Sequence, residues 1–420
     1  MYRFSCLSRL VEGGIMILTL SCAALKAVAS TDWNNEWHQW RGPNRDGVSL
    51  ERGILKNWPE GGPKTLWRVS IGEGFSGITI SQGRIYTMYA KGNDEFVVCR
   101  SATDGTAIWQ FRSDDIFYDT QGGNGPRSTP TVDGDLVFAL GAKGKLYAIS
   151  SKDGKKIWEH DLKDEFKGYI PSQGISTSTI IEEDLLLVDV GGEPGYSIVA
   201  FNKKSGEVIW NSQTDRPGYS SPIAVTVNGM RQIIFFTGTA VVSVAPKDGK
   251  LYWRYPWKTD WFANIATPIF IPNDKIFISS GYDKGSALLQ INDNSGTETV
   301  KPIWLSKVMR NHFSSSILYE GYVYGFDEAT FKCINVNTSE QKWAIRGFGK
   351  GSLIFADDHL IVLSERGKLI LVEAIPSEYR EKASAQVLQG KCWTVPTLSS
   401  GKLYIRNQKE LICLDLTESK

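Results

Sequence analysis

The sequence predicts an all-β fold, an eight-bladed β-propeller of four-stranded antiparallel blades, closed by an N-terminal strand that completes the last blade. Two observations carry this. A strand–turn–strand unit recurs and ends in Gly-x-x-x-Trp, and one tryptophan-bearing strand near the start has no preceding strands of its own. Composition agrees: 420 residues include 41 glycines, 14 tryptophans and 16 tyrosines, which suits short strands and tight turns better than helix bundles. Lys plus Arg (47) balance Asp plus Glu (46), so neither a nucleic-acid surface nor an acidic tail is expected.

Taken in order, the chain opens with Arg3 and Arg9 ahead of an apolar run from Ile15 to Leu25. Ala27-Val28-Ala29 then supplies small residues before Ser30, the pattern of an export signal over 1–29. The run is too short to cross a bilayer, and Lys26 ends it. Cys22 leaves a lipid anchor open, although Thr19 stands where such signals carry an aliphatic residue. The expectation is an exported chain, periplasmic or extracellular, with no spanning segment once mature. Residues 30–64 are expected to pack on a propeller that occupies 65–420.

The repeat sets the architecture. Its endings are Asp104-Gly105 to Trp109, Asp153-Gly154 to Trp158, Ser205-Gly206 to Trp210 and Asp248-Gly249 to Trp253. Ser295-Gly296 to Trp304 carries an insertion, and Ser339 replaces the glycine before Trp343. Two further units, around 362–374 and 401–416, lack the ending. Thr65-Leu66-Trp67-Arg68-Val69 resembles the fourth strands and would supply the last unit's missing one, which leaves only short, protected sheet edges. Pro130, Pro222, Pro268 and Pro396 stand at the starts of first strands, where a missing N–H costs little at a sheet edge. A slot six residues before the turn takes Cys99, Ala148, Ala200, Ser243, Cys333 or Cys413, so the cysteines read as buried free thiols. The repeated tryptophans read as packing between blades.

Catalytic signatures fail. Gly72-Glu73-Gly74-Phe75-Ser76-Gly77 is followed by strand-like Ile78-Thr79-Ile80 and reads as a blade-to-blade turn, not a dinucleotide loop. His38, His160, His312 and His359 are scattered, and no Cys-x-x-Cys exists, so no metal ligands and no catalytic residues are assigned.

The repeated Ala-x-x-x-x-(Asp/Ser)-Gly-x-x-x-Trp unit resembles that of the pyrroloquinoline-quinone (PQQ)-type propellers, a group with quinoprotein alcohol dehydrogenases and BamB-type lipoproteins of outer-membrane assembly. Trp37-His38-Gln39-Trp40-Arg41-Gly42-Pro43, Asn311-His312-Phe313-Ser314-Ser315-Ser316 and Gly325-Phe326-Asp327-Glu328-Ala329-Thr330 resemble unassigned exported PQQ-like bacterial proteins. The dehydrogenase resemblance would imply PQQ, a Ca²⁺ held by several oxygens, a catalytic Asp and often a disulfide between adjacent cysteines. This chain has no Cys-Cys pair, and Asp327-Glu328, its best acidic pair, reads as solvent-exposed.

Loops entering the first strands should gather at one mouth of the channel. They carry Phe75, Arg127, Gln173, Tyr219, Asn264, His312, Lys350 and Trp393, one per unit. Arg127 and Lys350 would donate to an anion, His312 would make binding pH-sensitive near 6.5, and Tyr219 and Trp393 would stack. Trp253, Trp257 and Trp261 form a further candidate aromatic patch. The leading expectation is a monomeric, non-catalytic scaffold that binds a protein or a small polar, anionic or carbohydrate-like ligand there. The alternatives are a PQQ- and Ca²⁺-dependent alcohol or polyol dehydrogenase and a BamB-like assembly scaffold.

Overall fold

Short runs bounded by Gly, Asn and Asp turns are apolar on both faces in the middle strands and alternate in the outer ones, and four-stranded sheets stacked against one another bury them. The computed structural model describes residues 36–294 and 297–418. The export signal expected over 1–29, with Cys22, and the Ser295-Gly296 pair lie outside the described residues. Among these residues, strands of three to ten residues form eight four-stranded antiparallel sheets, and one short helix, Leu162–Phe166, follows an Asp161 N-cap. Blades 1 to 7 take consecutive strands over 79–115, 131–161, 180–212, 223–256, 269–306, 317–345 and 352–386. Blade 8 combines three strands over 397–415 with Thr65–Ser70, in register through Trp67↔Cys413, Arg68↔Ile412 and Val69↔Leu411. The ring is therefore closed by the N-terminal strand.

The repeat motif has a direct physical cause. Trp109, in the outer strand of blade 1, lies over Gly154 of blade 2 and donates its indole N–H to Ser151 O at 2.9 Å. Gly154 has φ +75°, and a Cβ there would come within 2.8 Å of the Trp109 ring, so both the backbone and the space require glycine. The same lock joins Trp158 to blade 3 and Trp210 to blade 4, through Lys203 O at 3.1 Å and Pro246 O at 2.8 Å. Trp67 repeats it from blade 8 to Ala102 O of blade 1 at 3.1 Å. Across the sheet the tryptophans outside blade 5 face the small slot, as in Cys99↔Trp109, Ala148↔Trp158, Ala200↔Trp210 and Cys333↔Trp343. Cys99, Cys333, Cys392 and Cys413 are buried free thiols.

Residues 36–64 run along the inner strands and hydrogen-bond to seven blades. Trp37 exchanges backbone bonds with Ile80, Val132 N donates to His38 O, and Arg45 donates to Thr179 O. Trp40 Nε1 reaches Thr267 Oγ1 at 2.9 Å, and Arg41 donates to Ser315 O and Ser316 O. Ser49 N reaches Phe355 O and Leu55 N reaches Leu416 O, so this segment plugs the channel.

Replacing Trp109 by Ala empties an interblade site and removes an indole donor, at an expected cost of about 3–5 kcal/mol. Denaturant unfolding measures it, and a loss below about 1 kcal/mol contradicts the lock.

Candidate functional site

Antiparallel blades place two sets of connections at one end of the ring: the loops entering first strands and the turns between second and third strands. There they surround a cavity of about 500 Å³, with Trp40 of the plug also in its lining. Phe75, Arg127, Gln173, Tyr219, His312, Lys350 and Trp393 all line it. Asn264 does not. Its amide is buried and donates to Thr237 O and Trp257 O and accepts from Ser280 Oγ, bracing the loop, while the next residue, Ile265, faces the cavity. A one-residue offset reverses the direction of a side chain in extended backbone.

Five rings run along one wall. Tyr282, His312, Phe313, Trp393 and Phe75 follow one another with centroid separations of 4.6, 4.2, 4.5 and 5.4 Å. The charges beside them are paired. Arg127 is nearly buried and donates to Asp119 Oδ2 at 2.9 Å, to Gly123 O at 2.6 Å and to Gly125 O, with its guanidinium 4.7 Å from the Phe117 centroid. Burial lowers its pKa, and Asp119 partly offsets this. Its donors hold its own loop, which leaves it ill suited to the anion-donor role expected from sequence. Lys391 lies 4.1 Å over Trp393 and donates to Gly122 O, and Glu365 accepts from Trp393 Nε1 at 3.0 Å and from Lys350 N at 3.2 Å.

His312, Lys350 and Glu328 form one polar cluster. His312 Nδ1 lies 2.7 Å from Lys350 Nζ and 2.9 Å from Glu328 Oε2, while Nε2 is buried without a partner. With a proton on Nδ1 the ring donates to Glu328 and cannot accept from Lys350. With Nδ1 bare it accepts from the Lys350 ammonium. Burial and then Lys350 push the His312 pKa below 6.5 against the pull of Glu328, and burial also lowers Lys350.

Sequence reasoning missed Trp40, Asp119, Tyr282, Phe313, Glu328 and Glu365. Glu328 bonds to His312 and is not the solvent-exposed acid expected. Asp327 is buried between Arg310 at 2.7 Å and Lys332 at 2.6 Å. Burial raises the Asp327 carboxyl, and the two cationic partners bring it below its ordinary value. The tryptophan patch also dissolves, because Trp253 and Trp257 are buried and Trp261 alone is exposed.

A closed eight-bladed ring with an aromatic, charge-balanced cup at one channel mouth is the class that the fold and site define. The family described as outer membrane protein assembly factor BamB matches residues 58–165 and 93–345, and the chain belongs to it. BamB from Moraxella catarrhalis superimposes with a TM-score of 0.62 over 84% of this chain and 99% of that one, at 13% identity. A quinohemoprotein alcohol dehydrogenase from Comamonas testosteroni gives 0.67 over 92% and 81%, at 11% identity. Both likenesses are of fold alone. The quinoprotein alcohol dehydrogenase PedH of Pseudomonas putida is 24% identical over 147 residues, which is 31% of this chain and 23% of that protein. The chain thus spans under a quarter of that relative's length. No helix among the described residues is long and apolar enough to cross a membrane.

The cup's donor set does not fit a quinone held by Ca²⁺. Such an ion needs six or more converging oxygens. Among the described residues no three His, Cys, Asp or Glu side chains are grouped to hold a metal, and Asp119 and Glu365 are already taken by Arg127 and the Trp393 indole. The aromatic wall offers a flat ring a surface, but among the described residues no cluster of acidic side chains beside it offers the ion a shell.

Arg127→Ala should cost about 3–5 kcal/mol, because it strands a buried carboxylate and two loop carbonyls. A melting temperature within about 2 °C of the parent contradicts this keystone role. For His312 the contribution to stability is complete above pH 6.5 and is lost as pH falls towards its lowered folded value, since only the unfolded ring takes up the proton in that window. A ring NMR titration with a midpoint at or above 6.5 contradicts this.

Proposed function

We propose that the chain is an exported, monomeric, non-catalytic propeller that binds a small polar ligand in the cup, with a neutral, carbohydrate-like ring as the best match. The five-ring wall beside paired charges carries this reading. Aromatic faces stack on the C–H faces of sugars, and amides and ion-paired side chains supply hydrogen bonds that fix orientation. Arg127 is paired with Asp119, and the Lys391 ammonium is engaged by Gly122 O and the Trp393 face, which favours a neutral ligand over an anion. Gln173 and Tyr219, both in the lining, add polar contacts.

Family membership supports a second reading, an assembly scaffold in which loops around the cup meet another protein. PQQ-dependent dehydrogenation rests on the short PedH match alone.

Calorimetric titration with neutral mono- and disaccharides and their uronic-acid counterparts tests the reading. Tighter binding of the neutral sugars is expected, with Trp393→Ala weakening it at least tenfold, about 1.4 kcal/mol. No binding across the panel, or unchanged affinity in W393A, overturns it. Dye reduction with PQQ, Ca²⁺ and alcohols that EDTA abolishes would establish the dehydrogenase instead.

A further inference from the structure

The five rings of the cup's aromatic wall stand on blades 5, 6, 8 and 1. Across the mouth, between Arg127 and Tyr282, three successive loops build the remaining arc, and they send Gln173, Tyr219 and Ile265 into the lining. These loops are stitched in series. Ser176 Oγ, in the loop entering blade 3, donates to Tyr219 O at 3.0 Å. Tyr219 N, in the loop entering blade 4, donates to Asn264 O at 2.9 Å, one residue before Ile265 in the loop entering blade 5. The Tyr219 phenol is close enough to Arg127 on one side and to Tyr282 on the other to act on both electrostatically.

This arc differs in chemistry from the rest of the cup. Arg127, Lys391, Glu365 and the His312–Glu328 pair are engaged within the chain. The Gln173 amide and the Tyr219 hydroxyl hold no hydrogen bond among the described residues. Both side chains are half-buried and open to the cavity, unlike the fully enclosed orphan atoms elsewhere in the chain. Ile265, also half-buried, adds an aliphatic surface next to them.

One free amide, one free hydroxyl and one aliphatic side chain complement a secondary amide that ends in a methyl group. Gln173 and Tyr219 can each donate and accept. A planar trans amide points its carbonyl and its N–H apart, so two different side chains must meet them. A sugar hydroxyl in the same place could satisfy Gln173 or Tyr219, but it would waste the apolar surface of Ile265.

We propose, resting on the carbohydrate reading of the cup, that the ligand is an N-acetylated amino sugar. Its ring lies along the aromatic wall and its acetamido group crosses to the opposite arc. There Gln173 and Tyr219 share the carbonyl and the N–H, and Ile265 receives the methyl.

Calorimetric titration of the intact protein with N-acetylglucosamine, glucose and N-acetylalaninamide tests this. N-acetylglucosamine should bind at least tenfold more tightly than glucose, which lacks the acetamido group. It should exceed N-acetylalaninamide, which carries that group on no sugar ring, by a similar factor. Gln173→Leu should keep the parent's Tm, because the Gln173 side chain bonds to nothing in the chain. Q173L should bind N-acetylglucosamine no better than the parent binds glucose. An acetamido preference that survives in Q173L, or equal binding of N-acetylalaninamide, overturns the proposal. Equal binding of glucose overturns it and leaves the carbohydrate reading standing, whereas no binding of either sugar overturns both.

Discussion

The interlock of one blade's tryptophan with the next blade's glycine is the contact on which the ring depends. A single four-stranded blade buries one face poorly, and stacking neighbours is what completes each core. The cluster around Phe138, Trp158 and Phe201 shows this, since it joins blades 2 and 3 through one indole. The lock also sets residue size at a distance. Opposite the tryptophans stand Cys99, Ala148, Ala200, Ser243, Cys333 and Cys413, whereas blade 7, with Ala383 in the tryptophan position, carries Leu371 across from it. Bulk moved from one strand to the next. Blade 5 departs from this, with Leu288 facing Trp304 in its longer hairpin.

A second ring of bonds works at the axis. Gly77 N donates to Thr129 Oγ1, Thr129 N to Ser178 Oγ, Ser178 N to Ser221 Oγ and Thr267 N to Ser315 Oγ, each near 3 Å. Hydroxyls thus link successive first strands where the axis leaves no room for larger groups. These strands are the bases of the loops that form the cup, so the cup's residues stand on hydrogen-bonded backbone. The plug adds Trp40 to the lining. Outer tryptophans hold the blades together, and inner hydroxyls and the plug hold the mouth open at fixed width.

The repeat was readable because its cause is local. Glycine and tryptophan stand four apart in one turn and strand, even though each serves a different neighbour. Closure was readable for the same reason, as Trp67 kept its unit's signature without its unit. The cup was readable only in part. Loops entering first strands must converge, and Arg127, Gln173, Tyr219, His312, Lys350 and Trp393 all reach the cavity. Direction within a loop is another matter, and Asn264 gave way to Ile265. Tyr282, Glu328 and Glu365 were hidden because they come from turns between second and third strands, whose arrival at the same end follows from topology and leaves no motif. Trp40 was hidden because the plug's path through the channel is set by long-range bonds alone.

Charge pairing separates what the fold permits from what this chain does with it. The same ring occurs in an assembly factor and in quinohemoprotein dehydrogenases, so the architecture decides neither role. The decision rests on which side chains the mouth leaves unspent. Here the carboxylates that a hard cation would need are committed to Arg127, His312 and the Trp393 indole, and the arginine that an anion would need is committed to its own loop. What remains uncommitted is the aromatic wall, with Gln173 and Tyr219 beside it. A site whose charged groups are satisfied before a ligand arrives gains little from new charge and much from shape and stacking.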